Sequence, residues 1–336
     1  MAKLFRLGII GFGNRMRTVI PGIYEAGDIE IYAVADPHKD SIDQKISLLK
    51  GNPKITGDYK ELLAMPEVDG VLAAVPNYLH CQVAIDTLRA GKPLYLEKPM
   101  AISQKECDDI LTCAKETGTP MMVGMQNRYN PVYQKMKEIC DSKEIGDVKM
   151  LFYRAARGRF LDGVDGWRMK KTLSGGTILE VSVHQLDLFN WFAGVPFRKV
   201  AAFGGRDAIY RNAELYDNAV LMVEYANGIK ANLQASLFSP HGTDPAGLCI
   251  IGEKGTMYHT GNEITIKYSE KDASGETVKK IMLEGKDQKE SLIQTAFRLL
   301  VQEGRQPLTP VEAGRDAVIL SMLCEQSIET GSIVTV

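Results

Sequence analysis

The first 123 residues alternate between short apolar runs and stretches of helical periodicity, and this alternation constrains the fold more than any other feature. The apolar runs predict buried strands at residues 5–10, 30–35, 70–75, 93–96 and 120–123. Helical patterns separate them at residues 15–26, 39–49, 60–65, 78–90 and 103–117. Strands that alternate with helices need right-handed crossovers, so this part predicts a doubly wound parallel sheet of the α/β class.

A glycine pair lies between the first predicted strand and the first predicted helix. It falls in the run Gly11, Phe12, Gly13, Asn14 and Arg15. Gly11 permits a tight turn, and Gly13 lets the backbone approach a pyrophosphate at the helix N-terminus. Met16 replaces the third glycine of the usual fingerprint, which weakens the pattern without removing the phosphate contacts. The context predicts a dinucleotide-binding Rossmann domain.

An acidic residue, Asp36, ends the second predicted strand. A carboxylate there can accept a hydrogen bond from a ribose 2′-hydroxyl, which favours NAD over NADP. His38 and Lys39 follow closely and would instead suit a 2′-phosphate, so NADP stays open as an alternative.

Beyond about residue 126 the pattern changes to strands. After a helix at residues 131–140, β-prone runs occupy residues 148–155, 219–226, 229–237, 248–251, 257–259, 263–268 and 278–283. Asn227-Gly228 is a strong hairpin signal between two of these runs. Helical patterns return at residues 288–303 and 311–329. We therefore expect a Rossmann domain at residues 1–125, an α+β domain with a large, mostly antiparallel sheet at 126–300, and a helical return at 301–336.

Composition excludes several classes of function. The net charge is −2, and no cluster of Lys and Arg marks a nucleic-acid surface. No segment approaches the ~20 apolar residues that cross a bilayer, and the first residues do not resemble a signal peptide. The six cysteines are scattered without metal-ligand spacing, so we expect no metal site and free thiols in the cytoplasm.

Residues 174–194 form an apolar helical pattern that contains three ionisable residues on one stripe. Glu180, His184 and Asp187 stand at positions i, i+4 and i+7. Ionisable groups in a buried helix are costly unless they pair or face a wet cavity. A carboxylate one turn from an imidazole can orient it as a general base. A strand over residues 177–183 is the alternative, and would place only the first two on one face.

Lys98 follows the predicted strand at residues 93–96. Because ligands bind at the carboxyl ends of strands in doubly wound sheets, its amine would point into the crevice. Pro99 fixes the backbone after it, and we expect a cis bond there. A nearby nicotinamide cation would lower the pKa of the lysine, which could then polarise a hydroxyl.

These motifs resemble, in order, those of the glucose–fructose oxidoreductase/inositol dehydrogenase (Gfo/Idh/MocA) family, over nearly the whole chain. They are Gly11-Phe12-Gly13, Asp36, Val75-Pro76-Asn77-Tyr78-Leu79-His80, Ala90-Gly91-Lys92-Pro93, Glu97-Lys98-Pro99, Asn127-Arg128-Tyr129-Asn130-Pro131, Trp167-Arg168, Gly175-Gly176, Glu180 with His184 and Asp187, and the tail from Gly314-Arg315 to Gly331.

The resemblance implies an NAD(P)-dependent oxidoreductase that transfers a hydride between nicotinamide and a sugar, polyol or inositol-like hydroxyl. Such proteins usually form dimers or tetramers through the open face of the second sheet. A redox-neutral NAD-dependent glycosidase and a non-catalytic NAD-binding regulator are the alternatives on the same fold.

The resemblance also assigns site residues. The catalytic pair would be Lys98 and His184, with Glu180 or Asp187 as the partner of the imidazole; many members carry Asp where this chain has Glu180. The coenzyme residues would be Gly11, Phe12, Gly13, Asn14, Arg15, Asp36, Pro76, Asn77, His80, Glu97, Lys98 and Gln126. The substrate residues would be Lys98, Tyr129, Arg157, Trp167, Arg168 and His184.

Overall fold

The computed structural model describes residues 4–156, 158, 166–211, 214–239, 247–271, 275–285 and 287–336. Its strands are β1 (Phe5–Ile10), β2 (Ile29–Ala35), β3 (Lys54–Thr56), β4 (Gly70–Ala73), β5 (Leu94–Leu96), β6 (Met121–Val123), β7 (Val148–Ala156), β8 (Phe197–Gly205), β9 (Asn218–Tyr225), β10 (Lys230–Ser236), β11 (Gly247–Gly252), β12 (Gly255–Thr260), β13 (Glu263–Tyr268), β14 (Val278–Met282) and β15 (Val334–Thr335).

Its α-helices are α1 (Met16–Ala26), α2 (Lys39–Asp43), α3 (Tyr59–Leu63), α4 (His80–Arg89), α5 (Gln104–Thr117), α6 (Pro131–Asp141), α7 (Lys171–Ser174), α8 (Val183–Ala193), α9 (Lys289–Glu303) and α10 (Val311–Thr330). Short 3₁₀ turns occur at Ile46–Leu48, Asn77–Leu79, Gln126–Tyr129 and Trp167–Met169, and a π-helical turn at Ile178–Ser182. In this described part of the chain, none of the helices is long and apolar enough to span a bilayer.

The residues group into two compact units. The first combines the chain up to Tyr129 with Gln288–Val318, and the second combines Asn130–Asp287 with Ile319–Val336. The grouping differs from the predicted division near the C-terminus, because α9 packs on α1. A Cβ on Gly22 of α1 would come within 2.6 Å of the Cβ of Glu290 on α9.

The first unit contains a six-stranded parallel sheet in the order β3-β2-β1-β4-β5-β6. The order reverses beside β1, which has β2 on one side and β4 on the other. Strands β1, β4 and β5 are almost wholly buried, as expected for a sheet covered by helices on both faces. This confirms the predicted doubly wound sheet, although the short strand β3 was not predicted.

Local sequence signals account for both ends of α5. Ser103 caps α5, since its Oγ accepts the backbone N–H of Glu106 at 3.2 Å, and Glu106 Oε2 accepts the N–H of Ile102 at 3.0 Å. Gly118 ends the helix in the left-handed conformation, with φ 63°.

The second unit contains a nine-stranded sheet in the order β14-β13-β12-β11-β7-β10-β9-β8-β15. All neighbours are antiparallel except β7 and β10. Asn227-Gly228 joins β9 and β10, and Gly228 has φ 84°, so the predicted hairpin is confirmed. Strand β8 was not predicted.

One face of this sheet is covered and the other is open. Leu221, Leu233 and Ile250 point to the covered face, where α6 and α8 contribute to one apolar core. The open face carries alternate residues of the strands, among them Met222 of β9 and Phe203 of β8, which is 72% exposed. The predicted α+β unit with a large open sheet is therefore confirmed.

Candidate active site

The glycine turn lies at the carboxyl end of β1. Gly11 has φ 88°, and a Cβ there would come within 2.6 Å of the carbonyl oxygen of Ala74. Gly13 is exposed, and a Cβ there would meet nothing within 4 Å. The turn thus needs glycine at position 11 for the fold, while position 13 leaves open space beside the N-terminus of α1, which suits a pyrophosphate.

Met16 begins α1 in place of the third fingerprint glycine. Its side chain is fully buried with Phe12 in the core of the first unit. A flexible thioether fills this space, and the turn closes normally because the N–H of Met16 donates to the carbonyl of Gly13 at 3.2 Å. The departure from the fingerprint therefore leaves the turn intact.

Asp36 at the end of β2 is bound to the glycine turn. Its Oδ2 accepts the N–H of Phe12 at 2.6 Å, and its Oδ1 accepts the N–H of His38 at 2.8 Å. The carboxylate is therefore fixed against the turn, at the sheet edge where a ribose would lie.

Arg15 does not leave its side chain free for a phosphate. Its guanidinium binds the carboxylates of Glu97 and Glu290 and the amide oxygen of Gln126. Opposite charges hold the pKa of Arg15 above its usual value despite burial. Glu290 was not among the predicted site residues, since nothing in the sequence links α9 to the glycine turn.

Lys98 follows β5 at the same sheet edge as Gly11 and Asp36. The Lys98–Pro99 bond is cis, as predicted. The preceding Glu97 is buried; its Oε2 accepts the backbone N–H of Lys98 at 3.3 Å, and its Oε1 accepts the hydroxyl of Tyr95 at 3.3 Å. Lys98 itself is only partly buried.

His80 is enclosed next to this turn. Its Nδ1 lies 2.5 Å from the carbonyl oxygen of Pro99, and its Nε2 lies 2.9 Å from that of Val75. The side chain is 1% exposed, so this arrangement favours support of the Lys98–Pro99 turn over direct contact with a coenzyme. Asn77, also predicted to bind coenzyme, is likewise buried, whereas Pro76 is partly exposed.

The segment predicted as one helix at residues 174–194 is interrupted. α7 ends at Gly175, Gly176 follows with φ 103°, and the π-helical turn Ile178–Ser182 precedes α8. The alternative of a strand here is wrong. Because a π turn holds about one residue more than an α turn, Glu180 is rotated away from the regular stripe. π turns often occur at functional sites.

Burial separates the three ionisable residues of this segment. Glu180 and Asp187 are buried, at 6% and 0% exposure, whereas His184 is partly exposed. The imidazole is thus less buried than the two carboxylates.

Arg168 joins the predicted substrate residues to Glu180. Its Nε lies 3.2 Å from Glu180 Oε1, and its Cζ lies 4.5 Å from the ring centre of Trp167. Stacking and pairing orient the guanidinium, leaving Arg168 and Trp167 partly exposed.

Glu325 of α10 supports the π turn and was not predicted from the sequence. It is buried, and its Oε1 accepts the N–H of Ile178 at 3.3 Å. A Cβ on Gly176 would overlap the Glu325 carboxylate, so glycine is required for this approach. Burial raises the pKa of Glu325, while Lys171, at 3.8 Å, lowers it.

Two predicted substrate residues gain no support here. Tyr129 is buried, and its hydroxyl oxygen accepts the N–H of Leu308 at 3.0 Å, which favours a packing role in the first unit. Burial raises the pKa of this phenol. Arg157 lies outside the described residues.

The fold and the site define an α/β protein with a dinucleotide-binding unit and an α+β unit that carries the histidine helix. Residues 5–125 match the model of the oxidoreductase family with an NAD-binding Rossmann fold, and residues 133–258 match the GFO/IDH/MocA C-terminal domain. The chain belongs to the GFO/IDH/MocA family of oxidoreductases, as its motifs predicted.

Curated relatives agree with this membership, and a solved structure shares the fold. The scyllo-inositol 2-dehydrogenase (NAD(+)) of Bacillus subtilis (strain 168) is 29% identical over 259 residues, covering 75% of this chain and 71% of that protein. The myo-inositol 2-dehydrogenase of Thermotoga maritima is 24% identical over 329 residues, covering 96% of each. A levoglucosan dehydrogenase solved with NADH and levoglucosan shares the fold, with a TM-score of 0.88 and 17% identity over 99% of each chain.

Proposed function

We propose that this protein uses NAD to oxidise a hydroxyl group of a sugar, polyol or inositol-like compound, or reduces the corresponding carbonyl. The observation that carries the proposal is the placement of Lys98 after β5, on the sheet edge that also bears Gly11 and Asp36. The names of the inositol dehydrogenases among the relatives support the substrate class.

Lys98 and His184 are the proposed catalytic pair. In the oxidative direction His184 accepts the hydroxyl proton, with Glu180 or Asp187 stabilising the imidazolium, and the ammonium of Lys98 stabilises the oxyanion. The coenzyme, when bound, supplies the redox chemistry. The proposal requires that both side chains reach the same hydroxyl.

The residues of the glycine turn are the proposed coenzyme contacts. The backbone of Gly11, Phe12, Gly13 and Asn14 would hold the pyrophosphate, and Asp36 would bind the ribose hydroxyls. The carboxylate would repel a 2′-phosphate, which supports NAD over NADP as the preferred coenzyme.

Trp167 and Arg168 are the proposed substrate contacts. A flat indole suits the C–H face of a sugar, and a guanidinium can donate to hydroxyl oxygens. Arg168 Nε donates to the Glu180 carboxylate, which orients the guanidinium.

The open sheet face is the proposed oligomer interface. The strand register aligns one row of side chains across it: Ala201, Met222, Asn232, Phe152, Cys249 and Tyr258. Exposed Phe203 and Val220 extend this largely apolar surface. A large exposed apolar surface marks an interface, so we propose a homodimer or homotetramer. All six cysteines are free, which supports a reducing compartment such as the cytoplasm.

A substrate screen tests the activity. NAD⁺ reduction is followed at ~340 nm (absorption by the reduced nicotinamide) over inositols, hexoses, sugar acids and deoxy or amino sugars, with NADP⁺ in parallel. We expect Lys98→Met and His184→Ala each to lower kcat about 10²–10⁴-fold while NAD still binds. Lys105→Met, at an exposed position of α5, is the control.

Three outcomes would contradict the proposal. Wild-type turnover in Lys98→Met or His184→Ala would remove that residue from the mechanism. Release of a sugar from a glycoside without net NADH would indicate the glycosidase. Binding of NAD without turnover of any sugar, polyol or glycoside would indicate a regulator.

Light scattering after size exclusion tests the interface. Met222→Asp and Phe203→Asp should yield monomers, because a buried unpaired charge is costly. Ile46→Asp, at a position 48% exposed in the Ile46–Leu48 turn of the first unit, should leave the assembly unchanged. A wild-type monomer would contradict the proposed interface.

A further inference from the structure

Arg15 binds the side chains of Glu97, Gln126 and Glu290, and we call these four residues the Arg15 cluster. Its Nε lies 2.9 Å from Glu97 Oε1, and its Nη1 and Nη2 lie 2.8 and 3.0 Å from the two oxygens of Glu290. Nη2 also binds Gln126 Oε1. Each guanidinium nitrogen is thus bonded within the protein.

The cluster joins separate segments of the first unit. Arg15 directly precedes α1 in the glycine turn, Glu97 directly follows β5, and Glu290 lies in the first turn of α9. Gln126 opens the 3₁₀ turn after β6. A planar guanidinium with a bidentate partner fixes directions as well as distances. Arg15 therefore connects the end of β5 to the glycine turn.

The charge balance makes the cluster sensitive to the loss of Arg15. Two mostly buried carboxylates share one guanidinium, and the side chains of Glu97 and Glu290 are 7% and 18% exposed. Burial raises the pKa of Glu290, although Arg15 lowers it. Without Arg15, the Glu97 carboxylate would be left without its charged partner directly beside Lys98, whose N–H it already accepts.

We propose that Arg15 is a positioning residue for Lys98: it holds Glu97 so that the neighbouring amine is directed to the substrate hydroxyl rather than to that carboxylate. This proposal rests on the catalytic role proposed for Lys98. It differs from the coenzyme contact that the sequence predicted for Arg15. The guanidinium acts on Lys98 through Glu97, which binds Arg15 and also accepts the backbone N–H of Lys98.

A double-mutant cycle tests the proposal. Arg15→Met, Lys98→Met and the double variant are compared for kcat, for KM and for NAD dissociation constants measured by fluorescence. We expect Arg15→Met to lower kcat about tenfold or more with less than about threefold change in NAD affinity, since positioning acts on the reacting geometry. In the Lys98→Met background, Arg15→Met should lower kcat less than about twofold, because the amine through which Arg15 acts is already absent.

Two further variants separate positioning from general loss of structure. Arg17→Met removes a positive charge from an exposed site of α1 and should leave kcat unchanged. Arg15→Lys keeps the charge but not the bidentate geometry, so it should fold and recover part of kcat. If Arg15→Met is unstable, the cycle is run with Arg15→Lys.

Two results would overturn the proposal. An equal loss of kcat in both backgrounds would show that Arg15 acts independently of Lys98. A loss confined to NAD affinity would restore the coenzyme contact. Neither result bears on the proposed function, which fails instead if Lys98→Met alone retains wild-type turnover.

Discussion

The backbone N–H of Phe12 donates a hydrogen bond of 2.6 Å to Oδ2 of Asp36. The residue that would recognise the coenzyme ribose is therefore also the one that braces the glycine turn from β2. One carboxylate links two parts of the proposed coenzyme site, so its removal should affect both recognition and local stability.

Asp36→Ser should weaken NAD binding about tenfold and reduce the preference for NAD over NADP, because the negative charge and a ribose acceptor are lost. Loss of the bond to Phe12 should also lower stability by about 1 kcal/mol. Fluorescence titration with both coenzymes measures the first effect. Asp40→Ser, at an exposed position of α2, is the control. An unchanged ratio of the two affinities would remove Asp36 from coenzyme selection.

The two glycines of the turn should respond differently to alanine. A Cβ at Gly11 would press on the backbone of Ala74, which cannot rotate away, so Gly11→Ala should lower Tm as well as NAD affinity. Gly13 has open space around it, so Gly13→Ala should keep Tm and weaken NAD alone, about tenfold. Wild-type affinity in Gly13→Ala would place the pyrophosphate elsewhere.

Much of this arrangement is readable from the sequence, because it depends on local patterns. Alternating apolar runs and helical periods predicted the parallel sheet, and Asn227-Gly228 predicted the β9–β10 hairpin. The strand β8 was missed, since its sequence, FRKVAAFGG, mixes charges and glycines. Its identity as a strand depends on pairing with β9, which is not a local property.

The groups that support the site were harder to predict. Glu290 and Glu325 are far along the chain from the residues they hold, and an isolated glutamate on a helix gives no signal of a distant partner. The π turn likewise depends on how Gly176 packs against Glu325, while the sequence pattern there is compatible with an ordinary α-helix. Residue types therefore predicted the candidate catalytic side chains, whereas the residues that hold them depend on tertiary contacts that a sequence pattern does not show.

Asp217 should be a strong determinant of stability in the second unit. This fully buried carboxylate accepts the N–H groups of residues 207–210 at 2.8–3.1 Å and the amide of Asn218 at 2.8 Å. Burial alone would raise the pKa of Asp217, but these donors, led by the N–H of Tyr210, lower it. Asp217→Asn should cost about 2 kcal/mol or more, since charge-assisted bonds are lost.

The contribution of Asp217 to stability should decrease as the pH falls. Because the pKa of Asp217 is lower in the folded state, its stabilisation is complete above about pH 4, the unfolded value, and is lost as pH falls through the folded value. The Tm difference between wild type and Asp217→Asn should therefore shrink in acid. Asp141→Asn, which breaks only an exposed pair with Lys137, should change Tm little. A Tm difference that grows in acid would contradict the assignment.

Glu325 should show the opposite dependence on pH. Its buried carboxylate supports the N-terminal side of the π turn, and burial raises its pKa above the usual 4.5, against the opposing effect of Lys171. A raised pKa means that the stabilisation is complete below about pH 4.5 and is lost as pH rises through the folded value. Glu325→Gln keeps the shape and an acceptor for the N–H of Ile178 but cannot ionise. Its Tm relative to wild type should therefore increase from about pH 5 to about pH 8. Glu329→Gln, which removes the exposed partner of Lys171, is the control for general charge effects. If the relative Tm instead falls with pH, attraction to Lys171 outweighs burial, and the π turn is held by an ion pair.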